Sequence, residues 1–237
     1  MNVTSQERDN IEKATREQTH THLWHLVRSR RITGSTCGKI LQQQEMTPAL
    51  LKSVLYPKQF ENIPPAVKWG IDNEPRAHRE YLRYAKEHGK MKLTTQQCGF
   101  IIHPTMGWLG ASPDAFVTDP HSEFPNGIAE FKCPYSKKEL APREACEDTK
   151  FYCYYDGGIH LKKNHHYYHQ VQLQLFVGGD KYSWCDFCVF TPKGIEVERI
   201  WPDTEWCTNC VTELDSYYDA YMLPEILTPV YKPSCVL

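Results

Sequence analysis

The chain has 237 residues, 41% hydrophobic and 24% charged, enough for one large domain with its own core. Lys and Arg number 27 against 29 Asp and Glu, a net charge of -2, which excludes a global positive field for nucleic acid. No apolar run approaches the roughly 18 residues of a membrane span and the first ten residues are polar, so an intracellular protein is expected, cytoplasmic or nuclear, with no membrane partner.

In chain order, residues 5–30 are charged, with apolar positions at helical spacing (Leu23, Leu26, Val27), and "TGST" supplies cap residues for a helix over about 35–43. "TPALLKSVLY" reads as a short capped helix. Residues 75–88 place Ala77, Tyr81 and Ala85 four apart, an amphipathic helix opened by Pro75 and closed by Gly89. The period then changes: "GFIIHP", "WLGASPDAFV" and "GIAEFKCP" are short apolar runs bounded by Gly and Pro, hence strands. Helices are expected over 139–150 and 165–177, a hairpin from "YSWCDFCVF" and "GIEVERI", and a closing helix over 203–222. Helices on either side of a central sheet make the fold α/β or α+β.

Ten cysteines in an intracellular chain of this size are expected as reduced thiols. Basic surface must be local, and "RSRR" (28–31) and "LKKNHHYYHQ" (161–170) are the places for it.

The chemistry gathers around "GIAEFKCPYS". In a strand, Glu130 and Lys132 share one face while Phe131 and Cys133 point to the other. If Val117 pairs with Gly127, antiparallel counting sets Asp114 opposite Glu130, and directly opposed Cβ atoms stand about 5 Å apart. Two carboxylates at that distance suit one cation. Mg²⁺, with Mn²⁺ as a substitute and one or two ions per site, takes one or two carboxylates and keeps waters for a phosphate and a nucleophile. Asp114 and Glu130 are the candidate ligands, the Phe131 carbonyl completes the shell, and Lys132 orients water or offsets charge on the phosphate. The bland reading is an ion pair on an edge strand, since Glu-x-Lys is common by chance.

Pro113-Asp114 followed by Glu130-Phe131-Lys132 resembles the PD-(D/E)xK nuclease pattern. More narrowly the chain resembles the lambda exonuclease and YqaJ-type viral recombinase nucleases. Five pieces carry the likeness in order: "LWHLVRSRRITGS", "WGIDNEPRAHREYL", "GASPDAFV", "AEFKCP" and "YYHQVQLQLF". The resemblance implies a restriction-endonuclease-like core with a central mixed sheet flanked by helices. One nuclease domain over 1–237 is expected, with 1–22 as an N-terminal helical extension, 23–222 as the core and 223–237 as a tail.

The same resemblance implies roles. Glu74 is a further acid of the metal site, direct or through water; its structural alternative is to stabilise the N-terminus of a helix that begins at Pro75. Gln170 holds phosphate or positions the site, with Gln172 a weaker candidate; a polar helix face would equally carry glutamines. Arg28 and Ser35, helped by Ser112, bind the 5′-phosphate of a DNA end, and a guanidinium fork with a hydroxyl at a helix start makes an anion pocket. Trp24 and Arg31 are further contacts to that end. Ala115 departs from the pattern, which has Gly after Pro-Asp; a methyl crowds the backbone only if φ must be positive.

Two motifs are decoys. "GSTCGK" has three residues between its glycines and Ile40 where a P-loop needs Ser or Thr. Cys185-x-x-Cys188 and Cys207-x-x-Cys210 have zinc spacing, but "WCDFCVF" reads as a strand, where residues three apart face opposite sides, so structural zinc is not expected. His165 and His166 are adjacent and diverge in regular structure, which favours DNA or solvent contact over a metal.

Together these point to a metal-dependent deoxyribonuclease, a 5′→3′ exonuclease on double-stranded DNA ends in recombination or viral or mobile-element DNA processing. The resemblance also implies a homotrimer and a single-strand annealing protein as partner. The rivals are a structure-specific endonuclease of the same fold, a nuclease acting on RNA, and a zinc-stabilised nucleic-acid-binding module without catalysis.

Overall fold

The computed structural model describes residues 3–43, 47–57 and 62–231, so the first two residues and the end of the tail, 232–237, lie outside it. Thr4 opens α1 (Ser5–Ala14) with a reciprocal cap: its hydroxyl accepts from the Glu7 N–H while the Glu7 carboxylate accepts from the Thr4 N–H. Such caps are worth about 1 kcal/mol. Next come α2 (His22–Arg28), β1 (Ile32–Thr33), α3 (Gly34–Leu41), α4 (Pro48–Leu55) and α5 (Pro65–Glu87). α5 corrects the sequence reading. It begins ten residues before Pro75, on Pro65 at its first turn, and runs through Pro75 to end just before Gly89, whose φ is +80°. A proline inside a helix deprives one carbonyl of its partner, here that of Ile71, a residue that is itself 49% exposed. Glu74 therefore sits mid-helix, and its helix-start alternative falls away.

The strands are β2 (Thr94–Gln97), β3 (Ile101–Ile102), β4 (Leu109–Ala111), β5 (Ala115–Thr118) and β6 (Asn126–Lys132). The run "WLGASPDAFV" is thus two strands, and they lie in different sheets. The break falls on Ser112, Pro113 and Asp114. After β6 come α6 (Pro142–Ala145), a hairpin of β7 (Cys153–Tyr155) and β8 (Ile159–Leu161), α7 (His166–Gly178), β9 (Cys185–Thr191), β10 (Gly194–Ile200), α8 (Thr204–Tyr217), a π turn over 218–222 and α9 (Leu223–Leu227). The helix expected over 139–150 is only the four residues of α6, because Pro142 starts it and a run of turns ends it. The β7–β8 hairpin carried no clear alternation in the sequence.

The main sheet is ordered β10-β9-β6-β5-β2, with β6 and β9 parallel and the other pairs antiparallel; a small sheet is ordered β1-β4-β3. α5 covers one face through Ala77, Tyr81 and Ala85, which pack on Val117, Phe131 and Phe190. The other face meets α3, α7 and α8 through Ile128, Phe187, Val189, Leu173 and Leu214. Every residue of β9 is buried, as a central strand covered on both faces requires. Its one acid, Asp186, is held by Arg199 at 2.8 and 2.9 Å and by the Tyr81 hydroxyl at 2.6 Å, without which a buried charge is strongly destabilising. Cys185 packs into one face cluster and Cys188 into the other, so these thiols diverge. Among the described residues no helix is long and apolar enough to cross a membrane.

Candidate active site

Val117 pairs with Gly127 and Ala115 with Ala129, so the ladder counts Asp114 opposite Glu130. Asp114 lies one residue before β5, with its N–H donating to the Ala129 carbonyl at 3.1 Å. Its carboxylate accepts from the Phe131 N–H at 2.6 Å, so the acid is fastened to the strand that carries Glu130 and Lys132. Ala115 is ordinary β-strand with no positive φ, and its methyl is accommodated.

Glu130 is 3% exposed and its two oxygens accept three side-chain donors. Lys132 Nζ and Gln170 Nε2 both reach Oε1 at 2.6 Å, and Gln174 Nε2 reaches Oε2 at 2.7 Å. Gln170 also accepts from Lys132 Nζ at 3.3 Å, while the ammonium stands 4.2 Å from the centre of the Tyr167 ring. Tyr167, Gln170 and Gln174 lie on one stripe of α7, three and four residues apart. Gln174 had no assigned role in the sequence, though its place one turn after Gln170 was the available signal. Gln172 is on the opposite side of α7, donating to the Trp201 carbonyl and accepting from the Asp203 N–H, away from the acids.

Glycine lets α3 approach α7. A Cβ at Gly38 would stand 2.8 Å from that of His166, and one at Gly34 would touch Gln170 and Gln174. That approach brings Ser35, in the first turn of α3, beside the acids. Arg28, at the end of α2, donates to the Ser35 hydroxyl at 3.0 Å and stacks 3.9 Å over the Trp24 ring. Trp24 Nε1 donates to the Ser112 hydroxyl at 2.9 Å. These residues and the Asp114–Glu130 pair line one cavity of about 180 Å³. Arg31 does not reach it. Its guanidinium is spent on the carbonyls of Gly107 and Val27, fastening the loop before β4. The rings of His165 and His166 do not diverge as expected: His165 caps α7 instead of lying within it, and their centres are 4.1 Å apart with the planes tilted by 37°.

Desolvation raises the Asp114 carboxyl well above its ordinary value, and the charges of Glu130 and Glu74 push it further. Glu74, on α5 and not among the residues lining the cavity, is shifted in the same direction by desolvation and then by Glu130. Burial alone pulls the Lys132 ammonium down, but Glu130, Tyr167 and Asp114 more than reverse this, and it stays protonated. Three acids against one lysine leave an excess of negative charge, and the upward shifts record desolvation first and then the repulsion that a divalent cation would relieve. The oxygen donor set of Asp114 and Glu130 fits a hard cation such as Mg²⁺ or Mn²⁺. Among the described residues no cluster of three or more His, Cys, Asp or Glu is placed to hold a metal, so the protein's own carboxylate donors are this pair, with Glu74 outside it. Arg28 is opposite in character. Its guanidinium has no acid partner among the described residues, and desolvation lowers it to about 10. A desolvated, unpaired cation facing a cavity is a seat for an anion.

Residues 23–181 match the model of the YqaJ-like viral recombinase domain. The chain belongs to this family. Among solved structures, the alkaline exonuclease LHK-Exo of Laribacter hongkongensis is 25% identical with a TM-score of 0.62, covering 87% of this chain and 95% of that one. The same enzyme in complex with dAMP gives a TM-score of 0.63 at the same identity and coverage. The SOX–DNA complex shares the fold at 14% identity and a TM-score of 0.58, over 92% of this chain and 73% of that one; SOX is the shutoff and exonuclease protein of Kaposi's sarcoma-associated herpesvirus. No curated protein matches the sequence. The YqaJ domain and its alkaline exonuclease neighbours make this chain a nuclease of the lambda exonuclease type, with an α+β core built on a central mixed sheet.

Proposed function

We propose that this YqaJ-family nuclease is a divalent-cation-dependent 5′→3′ exonuclease acting on double-stranded DNA ends. The observation that supports this most is one cavity lined both by the Asp114–Glu130 pair and by Arg28 with the hydroxyls of Ser35 and Ser112, with Lys132 donating to Glu130. An end-binding pocket beside a hydrolytic centre measures a fixed distance from the terminus. Arg28, with the hydroxyls of Ser35 and Ser112, takes the terminal 5′-phosphate; Trp24 holds the guanidinium flat and orients Ser112. Asp114, Glu130 and the Phe131 carbonyl would hold the cation, with Glu74 acting through water. Bound there, the cation would supply Lewis acidity toward the phosphate and a more acidic water.

Lys132, which donates to Glu130 and is held toward its charged form by that acid, orients the attacking water or offsets charge on the scissile phosphate. Gln170 and Gln174 fix the rotamer of Glu130 by donating to both its oxygens. In-line attack of water then breaks the bond to the 3′-oxygen, frees a 5′-mononucleotide and leaves a 5′-phosphate on the next residue, which can occupy the Arg28 pocket in its turn. The dAMP complex of LHK-Exo is in keeping with a mononucleotide at such a site. Within the same proposal, residues 1–237 form one nuclease domain, three chains assemble into a ring, and an annealing protein receives the exposed strand.

The test is digestion of linear duplexes labelled at either end, in Mg²⁺ and in chelator. Release of 5′-mononucleotides from phosphorylated ends, with circular duplex untouched, is the expected result. Cutting of closed circles, or equal attack on both termini, would replace the proposal with an endonuclease or with the other polarity.

A further inference from the structure

Gln18 is the one non-glycine residue with positive φ among those described, at +46°. A residue with a Cβ takes that left-handed conformation only at a cost. Its backbone is engaged on both sides, with its N–H donating to the Thr15 carbonyl at 2.9 Å and its own carbonyl accepting from the Thr21 N–H at 3.0 Å. The side chain explains the cost. Its amide nitrogen donates to the carbonyls of Cys98 and Pro113, each at 3.0 Å.

Pro113 lies between Ser112 and Asp114, where the chain crosses from the small sheet to the main one. Proline has no N–H, so its carbonyl is the only backbone handle on that residue. The flanking residues are tethered from elsewhere, Ser112 by Trp24 at its hydroxyl and Asp114 by the Ala129 carbonyl at its N–H and by the Phe131 N–H at its carboxylate. Gln18 tethers the Pro113 carbonyl between them. It belongs to the N-terminal extension, before the region matching the family model.

We infer that Gln18 is a positioning residue, clamping the Pro113 carbonyl so that the Ser112-Pro113-Asp114 turn presents one acid of the pair and one hydroxyl of the phosphate pocket in fixed relation. This rests on the cation-binding role proposed for Asp114. The backbone at position 18 suits glycine or asparagine better than glutamine, but neither carries an amide that reaches as far. Ease of folding and the clamp therefore pull in opposite directions, and substitution separates them.

Gln18→Gly and Gln18→Asn, each in the full chain, are to be compared with the original protein by thermal melting, by Mn²⁺ titration calorimetry well below the melting point, and by kcat and KM on 5′-phosphorylated duplex. Melting points at or near the original are expected, together with Mn²⁺ affinity weakened about tenfold or more, as for loss of a group that orients a metal ligand. kcat should fall with it, and the preference for 5′-phosphorylated over 5′-hydroxyl ends should shrink. Unchanged Mn²⁺ affinity in both variants overturns the inference, whatever their melting points, because Gln18 would then only staple the extension. Asp114→Asn serves as the reference: if it abolishes Mn²⁺ binding while the Gln18 variants bind normally, the site reading stands and the clamp does not. If Asp114→Asn itself binds Mn²⁺ normally, both fall.

Discussion

Glu130 is a buried carboxylate whose oxygens are shared among a lysine and two glutamines, and that sharing sets what single substitutions do. Gln174→Leu removes the only donor to Oε2 among the described residues, so we expect a loss of about 1–3 kcal/mol in unfolding free energy, the cost of stranding a buried acceptor. Urea denaturation measures it, and a loss within a few tenths would show that water replaces the amide. Arg28→Ala acts differently, through the ligand. A charge-assisted bond of about 1.5–3 kcal/mol corresponds to roughly 10- to 100-fold. The expected loss of kcat/KM of that size is confined to 5′-phosphorylated ends, and an equal loss on 5′-hydroxyl ends would make Arg28 a generic backbone contact. That Asp114 stands opposite Glu130, with Lys132 on the same face, was legible because strand alternation and ladder counting are rigid rules; the roles of the three came from the family resemblance. Gln174 was not, because choosing among glutamines at alternate positions requires the phase of the helix against the sheet. That phase separates 170 and 174 from 172, and it is fixed by tertiary packing at Gly34 and Gly38. Arg31 failed for a related reason: a basic cluster says nothing about which guanidinium turns inward to carbonyls.

At the scale of elements, α7 and α8 are tied by Asp203. It caps α8 by accepting from the Trp206 N–H at 3.1 Å, and it takes the Tyr168 hydroxyl at 2.7 Å and Lys163 at 3.0 Å. The Tyr168 bond, then the Trp206 N–H, hold its carboxyl down at about 2. A folded value below the unfolded one means that this stabilisation is complete above the ordinary aspartate value of about 3.9 and is lost as pH falls through the folded value. Asp203→Asn should therefore lower stability near neutral pH and flatten the decline between about pH 4 and pH 2. Denaturation at several acidic pH values tests this; parallel curves for the two proteins would remove Asp203 from the acid response. The helices with caps or clear spacing, α2, α3, α4 and α7, were readable, though the break that separates α1 from α2 within 5–30 was not. α5 was not, since a proline normally starts a helix and nothing local reveals that ten residues before it are already helical. The β7–β8 hairpin escaped because the runs flanking its Asp156-Gly157-Gly158 turn do not alternate, although that tripeptide is itself a turn signal and Gly157 takes positive φ.

Over the whole molecule the charge nearly balances, so nothing repels or attracts at long range, and the electrostatic work is local: an acid centre next to an unpaired arginine. The acid centre carries a stability cost when no cation is present. The Asp114 carboxyl is raised in the folded state, by burial and then by Glu130 and Glu74, so between its ordinary value and the raised one the folded chain holds a proton that the unfolded chain has released. The sign is opposite to that of Asp203: without cation, stability falls as pH rises through that window. Asp114→Asn removes the repelled charge. In chelator at neutral pH its melting point should equal or exceed that of the original protein, although it has lost the group assigned to the cation. Adding Mg²⁺ should raise the original protein's melting point, by linkage worth about 2.7 kcal/mol at a hundredfold excess over the dissociation constant, and leave the variant unmoved. Differential scanning calorimetry with and without Mg²⁺ reads both effects. An Asp114→Asn protein that melts lower in chelator and still gains from Mg²⁺ would mean that the carboxylate serves the fold through its bond to the Phe131 N–H, and that the cation binds elsewhere.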